Sequence, residues 1–114
     1  MPLLNIETNC SLEEIETEQF LKIITENVAS LLGKPESYVM VSVSFRPAMM
    51  FGGTTDPLAY VEFKSLGLPE DRTKDFSERI CALLEKHLGV NPERVYIEFT
   101  NGARHLWGWN SSTF

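Results

Sequence analysis

The chain has 114 residues, 43% apolar and 23% charged, with a formal net charge of −6. Length and composition suit one globular domain spanning residues 1–114. An acidic balance with no basic cluster predicts neither a nucleic-acid nor an anionic-membrane partner. No apolar run is long enough to cross a bilayer and no secretory signal precedes the first strand, so the cytoplasm is the expected compartment.

Pro2 follows Met1 directly. It is small enough for Met1 to be trimmed, which would leave a secondary amine at the chain start. Proline within a chain has no N–H and no basic nitrogen, whereas a terminal proline can act as a base. Leu3 to Thr8 is rich in strand formers and predicts a first strand. Asn9-Cys10-Ser11 breaks it. Ser11 in the capping-box run Ser11-Leu12-Glu13-Glu14, or Thr17, is expected to cap a helix. Phe20, Ile24, Val28, Leu31 and Leu32 recur at helical spacing up to Gly33, a natural helix stop with Pro35 behind it.

Tyr38 to Phe45 reads as a second strand, with Val39, Val41, Val43 and Phe45 on one face. Arg46 to Pro57 is a loop marked by Pro47, Gly52-Gly53 and Pro57. Ala59 to Leu66 is a third strand, with Ala59, Val61 and Phe63 opposite Tyr60, Glu62 and Lys64. A second helix is expected to start at Leu68-Pro69-Glu70-Asp71. It buries Phe76, Ile80, Leu83, Leu84 and Leu88, and closes at Gly89. Arg94 to Phe99 is a fourth strand, with Tyr96 and Glu98 away from the core. The tail from Trp107 to Phe114 is aromatic but too rich in Gly and Ser for a helix.

Cys10 and Cys81 are far apart and belong to no metal-ligand spacing, nor do His87 and His105; no metal or other cofactor is expected. Cys81 reads as a small core residue and Cys10 as a free thiol in a loop.

Each half of the chain reads strand, helix, strand, and the run Leu32-Gly33-Lys34-Pro35-Glu36 is echoed by Leu88-Gly89-Val90-Asn91-Pro92-Glu93. The chain is therefore expected to be a duplicated β-α-β unit. Right-handed crossovers make the strands within each half parallel. The predicted class is α+β, with a four-stranded mixed sheet and two helices on one face. The other face carries Met40 and Tyr60 and has no cover within the chain, which predicts an oligomer.

Pro2, Gly33-Lys34-Pro35, Phe51-Gly52-Gly53, Ser65-Leu66-Gly67, Arg94-Val95-Tyr96-Ile97 and the closing run from Gly108 to Phe114 together resemble the macrophage migration inhibitory factor family of the tautomerase superfamily. The resemblance runs from Pro2 to Phe114. It implies a homotrimer with sites between neighbouring subunits, and cofactor-independent keto–enol tautomerisation of a small aromatic α-keto acid such as a phenylpyruvate-like substrate, or of a dopachrome-like one. The alternative it implies is a cytokine-like protein that binds a receptor, exported without a signal peptide and with vestigial catalysis.

By that resemblance Pro2 is the general base. Lys34 lowers its pKa and pairs with the substrate carboxylate, because burial and a nearby cation both disfavour the charged amine. Ser65 and Leu66 match the stretch that binds substrate, Leu66 standing where isoleucine is common. Tyr96 matches a tyrosine contributed by the neighbouring subunit. Trp107, Trp109 and Phe114 supply rings near the site. Glu98 replaces an asparagine that reaches the substrate in the mammalian protein. A carboxylate there is expected to weaken activity or shift substrate preference, with Arg46 or Arg104 as candidates to offset it. Leu58 and Val61 occupy the places of a C-x-x-C motif, so no thiol oxidoreductase activity is expected.

Overall fold

A computed structural model describes residues Met1–Phe114. Strand β1 (Leu3–Thr8) alternates as its sequence predicts, with Leu4, Ile6 and Thr8 buried. Helix α1 (Glu14–Leu32) buries Phe20, Ile24, Val28 and Ala29. Neither Ser11 nor Thr17 caps it. Glu13 holds the cap position with no side-chain hydrogen bond. Thr17 already lies within the first turn, so its hydroxyl donates back to the Glu13 carbonyl at 2.9 Å.

The end of α1 is more telling for function. Gly33 adopts a left-handed backbone (φ 61°) that a side chain would strain. Its N–H donates to Ser30 O at 3.3 Å, and the Lys34 N–H donates to Ala29 O at 3.0 Å. This paired closure pins the Lys34 backbone to the helix end.

A 3₁₀ turn over Glu36–Tyr38 follows, so the second strand starts later than its sequence suggests, as β2 (Met40–Phe45). Tyr38 is part of the turn because the Tyr38 N–H is already committed to Pro35 O at 3.1 Å. Between β2 and β3 (Ala59–Leu66), Phe51 and Thr54 exchange two backbone hydrogen bonds around Gly52 (φ 61°) and Gly53 (φ 82°). Two successive positive φ values favour the Gly-Gly pair.

Another 3₁₀ turn (Glu70–Arg72) precedes α2 (Thr73–Leu88), which therefore begins after the expected Leu68-Pro69 start. Phe76, Ile80 and Leu84 are its buried line, while Leu83 and Leu88 are half-buried. Cys81 stands one position off that line and is half-exposed rather than a core residue. Both cysteines are free thiols. Strand β4 (Val95–Gly102) runs past Phe99, because Thr100, Asn101 and Gly102 pair with Lys64, Ser65 and Leu66. The tail forms a small hairpin, β5 (Gly108–Trp109) and β6 (Ser112–Thr113).

The sheet order is β2-β1-β3-β4. β1 is parallel to β2, β3 is parallel to β4, and β1 is antiparallel to β3. This is the duplicated β-α-β arrangement, with its core between one sheet face and the two helices. The other face is open within the chain: Met40 is 66% exposed and Tyr96 67%. No helix is long and apolar enough to cross a membrane.

Candidate active site

The antiparallel pairing of β1 with β3 sets the site. It aligns Leu3 with Lys64, so the start of the chain lies beside the end of β3. Pro2 is buried there, its carbonyl accepting from the Met40 N–H at 3.0 Å. Lys34 arrives from the end of α1. Its ammonium donates to Leu66 O at 3.0 Å and to Ser65 Oγ at 3.4 Å. Ser65 is fully buried, and its hydroxyl also donates to Leu66 O at 3.2 Å.

This environment acts on the terminal amine. The α-amino group of Met1 is lowered from 8.0 to about 6, chiefly by burial and then by the charge of Lys34 and its hydrogen bond. Both effects disfavour the protonated Met1 amine, which is therefore largely neutral at cellular pH.

Two adjoining spaces open around it. One, of about 360 Å³, is lined by Met1, Lys34, Tyr38, Leu66, Gly67, Arg104 and Phe114. The other, of about 230 Å³, brings Pro2 together with Tyr38, Trp107 and Trp109. Trp109 stacks on Phe114 and meets Tyr38 edge-on, with ring centroids 5.6 Å apart in both pairs. The aromatic tail thus has its place: the hairpin folds back over the chain start.

Pro2, Lys34, Ser65, Leu66, Trp107, Trp109 and Phe114 therefore gather at one end of the sheet. Tyr96 does not join them. It pairs with Tyr60, which pairs with Glu7, four residues along the sheet from Leu3. Pro2 lies one residue further still, so at about 3.3 Å per residue Tyr96 is roughly 16 Å along the sheet from Pro2, and two strands across from it. Tyr96 instead contacts Phe51 (ring centroids 4.8 Å apart) beside an apolar space of about 340 Å³ lined by Met49, Met50, Leu58 and Tyr60. Glu98 accepts a hydrogen bond from the Tyr60 hydroxyl at 2.7 Å. Arg46 pairs with Glu7 at 3.2 Å, also towards the far end of β1. Tyr38 is a lining residue that strand periodicity concealed. The signal for it is Pro35, which starts a turn ending three residues later.

The whole chain, residues 1–114, matches the family model for macrophage migration inhibitory factor. Macrophage migration inhibitory factor of Rattus norvegicus is 35% identical, covering 100% of this chain and 99% of the relative. A Brugia malayi homolog is 38% identical over the same shares. Among solved structures, the homologue from Prochlorococcus marinus superposes with a TM-score of 0.91 at 42% identity, covering 98% of both chains. The Toxoplasma gondii protein superposes at 0.90 with 34% identity, covering 98% of this chain and 99% of its own. With sequence, fold and strand order in agreement, the chain belongs to the macrophage migration inhibitory factor family, within the tautomerase superfamily.

Proposed function

We propose that the protein is a keto–enol tautomerase in which Pro2, freed by removal of Met1, is the general base, acting on phenylpyruvate-like or dopachrome-like substrates. Supporting this above all is the placement of Lys34, tied to Leu66 O and Ser65 Oγ, beside the chain start, where burial and that cation lower the Met1 amine to about 6. Once Met1 is removed, the Pro2 amine is expected to meet the same burial and the same cation, both of which disfavour its charged form.

The neutral Pro2 nitrogen takes a proton from the carbon beside the keto group. The C–H electron pair becomes the C=C bond, and the carbonyl π pair moves to oxygen. A proton from the solvent-open pocket completes the enol, and the reverse reaction returns the Pro2 proton to carbon. No electrons are gained or lost. Lys34 holds the substrate carboxylate and disfavours protonation of the base. Leu66 and the rings of Tyr38, Trp107, Trp109 and Phe114 hold the aryl group. The active assembly is a homotrimer: the open sheet face is covered by neighbouring copies, and Tyr96 of one copy closes the site of the next. The separation of Tyr96 from Pro2 within one chain, roughly 16 Å along the sheet and two strands across, favours this shared site.

The test is the ultraviolet decay of phenylpyruvate enol, with intact mass establishing loss of Met1. Mature protein is expected to speed the decay, and Pro2→Gly or an acylated N-terminus to abolish most of that acceleration. Equal rates with a blocked amine would refute the mechanism. Light scattering should give three times the chain mass; a monomer would rule out the shared site. The relatives' shared name favours a second reading, a receptor-binding surface with vestigial catalysis. Receptor-ectodomain binding that survives Pro2→Gly, in a protein without tautomerase turnover, would support it.

A further inference from the structure

The pocket at the chain start holds a second cation besides Lys34. Arg104 begins the 3₁₀ turn Arg104–Leu106, and its side chain lines the same space as Lys34, Tyr38, Leu66 and Phe114. The two cations are differently employed. The Lys34 ammonium is tied to Leu66 O and Ser65 Oγ. The Arg104 guanidinium makes no hydrogen bond or ion pair within the chain; Arg46, Arg72 and Arg94 all have partners, and Arg79, the other unpaired arginine, lies on α2 beside Asp75 and Glu78, away from the chain start. In a chain of net charge −6, a free guanidinium over a pocket is a local feature and not part of a general positive field.

The carboxylate of a simple α-keto acid needs one cation, and Lys34 serves that purpose beside the amine. A guanidinium presents a planar fork matched to a carboxylate, and forms two parallel hydrogen bonds with it. Lys34 lowers the pKa of the terminal amine, whereas Arg104 is not among the causes of that shift.

We propose that Arg104 is a specificity-determining residue that binds a second carboxylate, so that among the α-keto acids the site accepts those with a second anionic group gain affinity from it. This deepens the tautomerase reading and rests on it for turnover, though not for binding.

The experiment uses mature wild-type protein, Arg104→Ala and Arg104→Lys, with oxaloacetate and phenylpyruvate as probes. Affinity is read by quenching of tryptophan fluorescence, and turnover by enol absorbance. The ratio of oxaloacetate to phenylpyruvate affinity is expected to fall at least tenfold in Arg104→Ala, with partial recovery in Arg104→Lys, where charge is kept and the fork is lost. Oxaloacetate affinity equal in wild type and Arg104→Ala, or a parallel loss for both ligands, would overturn the proposal. Arg104-dependent oxaloacetate binding without turnover of either probe would uphold Arg104 while rejecting Pro2 as the base.

Discussion

The Lys34 ammonium reaches from the second residue after the end of α1 to the carbonyl of Leu66 at the end of β3, 3.0 Å away. Anchored at both its backbone and its tip, it keeps a fixed charge beside the terminal amine, and that charge helps lower the Met1 amine to about 6. The base works when neutral, so kcat/KM should rise with pH through the amine pKa. In mature protein that rise should lie below ~8, the ordinary value for an α-amine. Lys34→Gln removes a cation that disfavours the charged amine. The limb should therefore move to higher pH, by about 1 unit, while KM for phenylpyruvate rises. A pH–rate profile checks both, and an unmoved limb would remove Lys34 from its tuning role.

Much of this was legible in the sequence, for identifiable reasons. The alternation Ala59, Val61, Phe63 gives the buried face of β3, and Gly33 marks the end of α1 because few other residues accept its backbone angle. The gathering of Pro2, Lys34, Ser65 and Leu66 followed from resemblance, since no local pattern reveals that β1 runs antiparallel to β3. Tyr38 was hidden because a 3₁₀ turn and a strand start look alike over three residues. The separation of Tyr96 from Pro2 is a matter of register, which only the paired strands display.

The Tyr60–Glu98 pair gives a second prediction. The Tyr60 hydroxyl donates to Glu98 at 2.7 Å, and its pKa is pushed up to about 12, first by that hydrogen bond. Ionising the phenol would break the bond and add a negative charge near Glu98, Glu62 and Glu7. Titration of phenolate absorbance should therefore show one of the three tyrosines ionising well above the others. Glu98→Gln should return it towards ~10. If Glu98 of one copy faces the site of the next, the same variant should raise kcat/KM for anionic substrates by about threefold to tenfold. Unchanged phenol titration would show that the pair does not form in solution.

A third prediction concerns the loop that carries Phe51. Arg94 donates to four backbone carbonyls: Pro57 at 3.0 Å, Phe51 at 3.1 Å, Thr54 at 3.2 Å and Asp56 at 3.1 Å. Its guanidinium also lies 5.3 Å from the centroid of Phe51, the ring packed on Tyr96. One side chain thus fixes the loop against the start of β4. Lysine has neither the fork nor enough donors to replace it. Arg94→Lys should cost about 1.5–3 kcal/mol in urea unfolding. It should also speed hydrogen exchange at the Phe51 and Thr54 amides, which bond across the loop. Exchange unchanged at those two amides would mean that the Gly52-Gly53 turn holds the loop without Arg94.

The last prediction follows from the contact between Gly102 and Trp107. Gly102 sits at the end of β4 with φ in the ordinary range, so it is not required there by backbone conformation. What requires it is space: a methyl group at this position would overlap the Trp107 indole nitrogen, and would come within 2.9 Å of Cδ1. The neighbour is a rigid ring, not the end of a flexible chain, so relief demands that the ring or the strand end move. Gly102→Ala should therefore destabilise by about 1–3 kcal/mol. Trp107 lines the space that holds Pro2, so the substitution should also lower kcat/KM and change the tryptophan emission. Trp107→Ala removes the clash but also removes a wall of the pocket. The double variant should thus recover the stability lost through Gly102→Ala beyond the sum of the singles, without recovering activity. Simple additivity would show that the indole already leaves Gly102 in solution, and that the wall beside Pro2 is built by Trp109 and Tyr38 alone.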